Sequence, residues 1–342
     1  MYKTLASNKS LENCHWKFDH YVGSPWELYW YDNIDVLQKN VCAVLLQADQ
    51  TNKSIEMLEH IATVRQSMFN RSSMVNPNEL FSKMFYRMEC PSAHSTLVVQ
   101  EIEPLVGLLR DPLTICSGFN ATIPSKFVVS EDDAMQSKRF ILLAPSSPYF
   151  NYTPIVPIPP WISHQHGKKF LFDIGSSYFN GRPELDNVGS AISVRWFYEY
   201  FQQNSLRFDR IIAFERGELA PKIAWDQLPE DLMTVYTLIN AAVESSGKYN
   251  PLNMLQTLVK PEDYVLFKLD IDSFDLEKNL IDQIIENQTL HSLIDEIFFE
   301  MHVSVPEMEP YWSFTIGPAQ LKDTYLLFTK LRQLGIRMHS WP

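Results

Sequence analysis

Residues 168–342 of this chain predict a doubly wound, mostly parallel α/β sheet, and three observations carry that expectation. The first is a strand ending in acid and glycine, Phe170-Leu171-Phe172-Asp173-Ile174-Gly175-Ser176-Ser177. The second is another strand ending in acid, Phe208 to Glu215 (FDRIIAFE), separated from the first by a helix over Ser190 to Gln203. The third is that strand and helix go on alternating to the end of the chain, the pattern of a sheet with helices on both faces.

The later elements follow in order. Val235 to Val243 reads as a third strand and Tyr264 to Asp272 (YVLFKLDID) as a fourth. Leu276 to Leu293 reads as one long helix, because Leu276, Leu280, Ile281, Ile284 and Ile285 recur at three- and four-residue steps. Glu296 to Val303 (EIFFEMHV) is a fifth strand, Gln320 to Leu334 a helix closed by Gly335, and Ile336 to Trp341 a last short strand. Apolar runs such as VLFKL and EIFF suit strands buried on both faces, so the sheet is expected to be parallel, with ligand beyond the carboxyl ends of its strands.

Those strand ends carry the candidate chemistry. Gly175 lets the backbone approach a ligand where the first strand turns, and Glu215 is placed to accept hydrogen bonds from ribose hydroxyls. Asp270 and Asp272 alternate on the fourth strand, as Glu300 and His302 do on the fifth, so the four converge if those strands are neighbours. Two chemistries suit such a group: a divalent cation held by Asp270 and Asp272, or His302 as general base with an acid fixing its tautomer. The structural alternative is a salt-bridged cluster with Lys268. His339 either reaches the same rim or is a satisfied structural histidine, and His164 and His166 read as surface. No Cys-x-x-Cys pair, Gly-x-x-x-x-Gly-Lys loop or Gly-x-Ser-x-Gly elbow is present, which argues against zinc ribbons, P-loop phosphoryl transfer and hydrolase chemistry.

In the order FLFDIGSS, IIAFE, VLFKLDID and EIFFEMH, the chain resembles S-adenosylmethionine-dependent methyltransferases of the FkbM type over roughly Lys168 to Pro342. The resemblance implies a class I methyltransferase, Rossmann-like sheet, with Asp173 and Gly175 beside the methionine part of S-adenosylmethionine, Glu215 on the ribose, and Ser176 also binding the cofactor. It also implies that Lys268, Asp270 and Asp272 face the reacting centre, and that the chemistry is methyl transfer to a hydroxyl of a sugar or small metabolite. Ser176-Ser177 and Ser273 stand where the family commonly has glycine, and this chain has one final strand where related folds have a hairpin. Those departures support an alternative, a non-catalytic methyltransferase-like subunit that binds or assembles with a protein partner. A third reading is a glycan-modifying enzyme with a nucleotide-activated donor.

The chain has 342 residues, is 45% hydrophobic and carries a net charge of -12, which suits a large packed core and argues against a nucleic-acid surface. No apolar stretch is long enough to span a membrane, and the first residues do not lead into a signal-peptide core. Asn-x-Ser/Thr occurs at Asn8, Asn52, Asn70, Asn120, Asn151 and Asn287, and all four cysteines, Cys14, Cys42, Cys90 and Cys116, fall in the first third. Glycosylation and two disulfides would place the protein in the secretory lumen or outside the cell; bare asparagines and free thiols would place it in the cytoplasm. Residues 1–144 are aromatic-rich and predict helices over Asn33 to Leu46, Ser54 to Met68, Pro77 to Tyr86 and Glu101 to Arg110. Residues 145–167 hold a run of prolines that cannot join a sheet interior and read as an extended connector. The amino-terminal part is expected to pack on the sheet.

Overall fold

The structure is a computed structural model that describes residues 15–38, 81–90, 93–102, 104–105, 167–180, 194–203, 205–304 and 317–341. In the amino-terminal part, β1 (His15–Val22), β2 (Ser82–Cys90) and β3 (Ala93–Ile102) form an antiparallel sheet in that order. The helix expected over Pro77 to Tyr86 is therefore overturned from Ser82 onward. Met84 and Tyr86 are buried while Lys83 and Phe85 between them are less so, a period of two that belongs to a strand. The helix expected from Glu101 is likewise corrected, since Glu101 and Ile102 end β3. Helix α1 (Pro25–Gln38) starts well before Asn33. Its start is set by Ser24, whose hydroxyl accepts the Glu27 amide at 3.1 Å, with Pro25 in the first turn. The helix expected over Ser54 to Met68, the cysteine side chains, the connector up to residue 166, His164 and His166, and every sequon except Asn287 lie outside the described residues.

The larger sheet has six strands: β4 (Lys169–Ile174), β5 (Arg210–Phe214), β6 (Tyr236–Ile239), β7 (Tyr264–Leu269), β8 (Glu296–Phe299) and β9 (Arg337–Ser340). Their order is β6-β5-β4-β7-β8-β9 and every neighbouring pair is parallel. Between them run α2 (Val194–Gln203), α3 (Pro221–Asp226), α4 (Pro251–Leu258), α5 (Phe274–Glu286), α6 (Gln288–His291) and α7 (Leu321–Gln333). This is compatible with a Rossmann-like α/β fold, whose strand order reverses between its first and fourth strands, here β4 and β7.

Alternation along β4 shows how both faces are covered. Phe170, Phe172 and Ile174 pack in one core with Leu280 and Ile284 of α5 and Phe328 of α7. Leu171 faces the other way, into a core with Phe197 and Phe201 of α2. That second core includes Met84, Tyr86 and Ile102, so the antiparallel sheet packs on the parallel one as expected. The long helix expected over Leu276 to Leu293 breaks at Asn287. Its side chain accepts the amides of Thr289 and Leu290 at 3.0 and 3.3 Å and so starts α6 as a separate turn.

Buried charges fasten the layers. Glu27 is 1% exposed and accepts from the Ser82 hydroxyl at 2.6 Å, the Leu105 amide at 2.7 Å, and the Tyr325 hydroxyl at 3.1 Å, with Arg332 at 3.5 Å. At the amino edge of the sheet Glu296 pairs with Arg337 at 2.8 Å and His339 at 3.1 Å. His339 also stacks on Phe298, so of the two roles open to it the structure shows the structural one. Among the described residues, no helix is long and apolar enough to cross a membrane.

Candidate functional site

The carboxyl edge of the sheet gathers the candidate residues in two groups, one on each side of the β4–β7 reversal. On the β4–β5 side, Gly175 has φ +84, and a Cβ there would fall 1.4 Å from the carbonyl oxygen of Asp270. The glycine is thus required by the close approach of two loops of the protein itself. The amides of Gly175 and Ser176 both donate to the Phe214 carbonyl, at 3.2 and 2.7 Å, which ties the end of β4 to β5. Ser176 hydrogen-bonds the Tyr236 hydroxyl, whose pKa burial and the charge of Asp173 raise. Glu215, mostly buried, accepts the Gly217 amide, and the Asn240 amide group holds the carbonyls of Glu215 and Gly217 at 2.7 Å each. The loop after β5 is therefore fixed around the Glu215 carboxylate, the acid expected to meet a ribose.

Lys268 links the two sides. Its ammonium group lies 3.3 Å from Asp173 and 3.0 Å from Asp270, and donates to the Gly175 carbonyl at 2.6 Å. Register explains the contact, because Asp173 and Lys268 are directly paired across β4 and β7. Burial alone would lower the lysine's pKa, but the Asp270 and Asp173 carboxylates raise it above its ordinary value, so it stays charged. Trp341 completes this corner: its indole donates to Asp270 at 3.2 Å, and its ring lies 5.8 Å from the lysine nitrogen.

On the β7–β8 side the strands end at Leu269 and Phe299, so neither Asp270 and Asp272 nor Glu300 and His302 alternate on a strand as the sequence predicts; all four lie in the loops just beyond. Asp270 turns to Lys268 and Trp341, whereas Asp272, in the left-handed region at φ 55, presents a largely exposed carboxylate 3.7 Å from Nε2 of His302. Glu300 Oε2 stands 3.4 Å from the same nitrogen, and His302 is fully buried. Candidate ligand atoms of Asp272, Glu300 and His302 all lie within 4.8 Å of one another. The expected convergence of Asp270, Asp272, Glu300 and His302 is therefore present, but the group open to solvent is Asp272.

Electrostatics divides the roles further. Burial pushes the Glu300 carboxyl up, and the charge of Asp270 adds to that, while Asp270 itself is held down by Lys268 against the effect of its own burial. The two carboxyls share a hydrogen bond, and Glu300 is the one driven toward its protonated form. Burial would lower His302, but its hydrogen bond to Glu300 and the surrounding acids raise it to about 9. An imidazolium donates and does not accept, so the accepting capacity of the bare cluster lies with Asp272.

Three participants are not among the residues the sequence singled out for the site: Asn240, Trp341 and Glu277. Glu277 was findable, since it falls one step before Leu280, Ile281 and Ile284 on the buried stripe of α5, an odd place for a glutamate. Comparison with known protein families, curated proteins and solved structures found no match.

Proposed function

We propose that this protein transfers a methyl group from S-adenosylmethionine to a hydroxyl of a sugar or small metabolite. The observation that carries the reading is the placement of two acidic groups on either side of the β4–β7 reversal, at the sheet edge where parallel α/β sheets bind ligands. Glu215, held by the loop that Asn240 fixes, suits the ribose of the cofactor. When bound, that cofactor supplies an electrophilic methyl on sulfonium. Transfer of that methyl to an acceptor hydroxyl would release the hydroxyl proton, and Asp272 is the group of the Asp272, Glu300 and His302 cluster that would accept it. The acceptor reaches this cluster through the solvent-facing side of Asp272.

One observation favours the second reading, a non-catalytic subunit of the same architecture. Lys268 already satisfies Asp173 and the Gly175 carbonyl, at the residues expected beside the methionine part of the cofactor.

Incubation with methyl-labelled S-adenosylmethionine and a panel of hydroxylated sugars separates the two. Methyl transfer supports a label acid-stably bound to acceptor oxygen, lost about a hundredfold in Asp272→Asn. Cofactor binding without label transfer to any acceptor, or the same transfer rate in the variant, contradicts it.

A further inference from the structure

We propose that Asp272, Glu300 and His302 form a binding site for a divalent transition-metal cation, with the Glu277 carboxylate behind them as an additional or supporting ligand. The site rests on the cluster's own geometry; its role, holding the acceptor's oxygen, rests on the methyl-transfer reading.

Distances suit a cation. His302 Nε2 stands 3.4 Å from Glu300 Oε2 and 3.7 Å from Asp272 Oδ1, separations close to those between ligand atoms that share one metal. Bonds of about 2.0–2.2 Å span up to about 4.4 Å between two ligand atoms, so both His302 separations fit one ion, and a small turn of the exposed Asp272 side chain closes the set, whose ligand atoms lie within 4.8 Å of one another.

Glu277 gives the independent observation. It is 1% exposed, one oxygen accepts the Ile271 amide at 2.8 Å, and the other is buried with no hydrogen-bond partner among the described residues. A buried carboxylate oxygen left this way is costly. The charged groups that act on it are His302 and Asp272, two of the three cluster residues, and Asp270 beside them.

Lys268 is committed to Asp173 and Asp270, so Asp272 and Glu300 stand beside His302 without it. Asp270, the ligand expected from the sequence, is excluded from the set because Lys268 and Trp341 hold it. One imidazole among carboxylates favours ions of the manganese, iron, cobalt and zinc type over magnesium or calcium. Two substrate oxygens, or one and water, complete the coordination on the exposed side of Asp272.

Calorimetric titration of the chelator-treated full chain with MnCl2, and separately with MgCl2, tests the site without any nucleoside present. One saturable equivalent of Mn²⁺ is expected, bound more tightly than Mg²⁺, and weakened about tenfold or more in Asp272→Asn and about 10–100-fold in Glu277→Gln. Asp272 is exposed and asparagine tolerates its left-handed backbone, so that variant keeps the fold even if Glu277→Gln does not. No saturable Mn²⁺ binding by the wild type, equal affinity for both ions, or an Asp272→Asn variant that binds like the wild type overturns the proposal. Because S-adenosylmethionine binding is measured apart from the metal, either reading can fail alone.

Discussion

Lys268 and Asp173 form a buried ion pair across β7 and β4, 3.3 Å apart, at the point where the order of the parallel sheet reverses. Asp270 shares the same ammonium, so one lysine holds two carboxylates, Asp173 buried and Asp270 partly buried. Lys268→Met leaves both acids without a cation, and breaking a buried pair from one side costs about 3–5 kcal/mol. Urea denaturation is expected to show a loss of that size. A variant within about 1 kcal/mol of the wild type would mean that the lysine contributes little to the fold.

Gly175 is expected to tolerate no side chain. In Gly175→Ala the new Cβ meets the Asp270 carbonyl at 1.4 Å, and φ +84 is strained for alanine in addition. The end of β4 and the start of the loop after β7 must separate, at a cost of about 2 kcal/mol or more. A melting temperature unchanged from the wild type would show that this contact is not as close as described.

The fold was legible where a strand is buried on both faces. Phe170-Leu171-Phe172, Ile211-Ile212-Ala213 and Val265-Leu266-Phe267 are apolar runs that no amphipathic surface element produces, and β4, β5 and β7 stand there. β2 was misread because Phe81, Met84 and Phe85 are spaced three and four apart, as on a helix. The alternation of Met84 and Tyr86 with more exposed neighbours, and the pairing with β1 and β3 that makes it a strand, show only in three dimensions. At the site, the strand-end acids and His302 were legible by position. The commitment of Asp270 to Lys268 was not, because it depends on a turn after Leu269 and on Trp341 arriving from the far end of the chain.

Glu27 is expected to hold the amino-terminal layer on the sheet. Glu27→Ala removes the acceptor for Ser82, Tyr325 and the Leu105 amide and leaves Arg332 short of its partner. The expected loss is about 3–5 kcal/mol, seen in thermal or urea unfolding. Exposure of Tyr325 and Arg332 to solvent at equal stability would show instead that α1 is only loosely attached.

Acid stability is expected to depend on Glu296. Burial opposes ionisation, but Arg337 and His339 hold its carboxyl down at about 2, below the ordinary 4.5. A depressed acid contributes stability above its unfolded value, and that contribution is lost as the pH falls through its folded value. Relative to Glu296→Gln, the wild type should therefore lose about 3 kcal/mol between about pH 4.5 and 2. Parallel pH profiles for the two proteins would remove Glu296 from the acid response.

The most direct test of the methyl-transfer reading is calorimetric titration of the wild type and of Glu215→Ala with S-adenosylmethionine. The account predicts one saturable equivalent for the wild type and an affinity lowered by about 1.5–3 kcal/mol in the variant, because the ribose hydroxyls lose a charged acceptor. Absence of binding to the wild type, or equal affinity in Glu215→Ala, would contradict it.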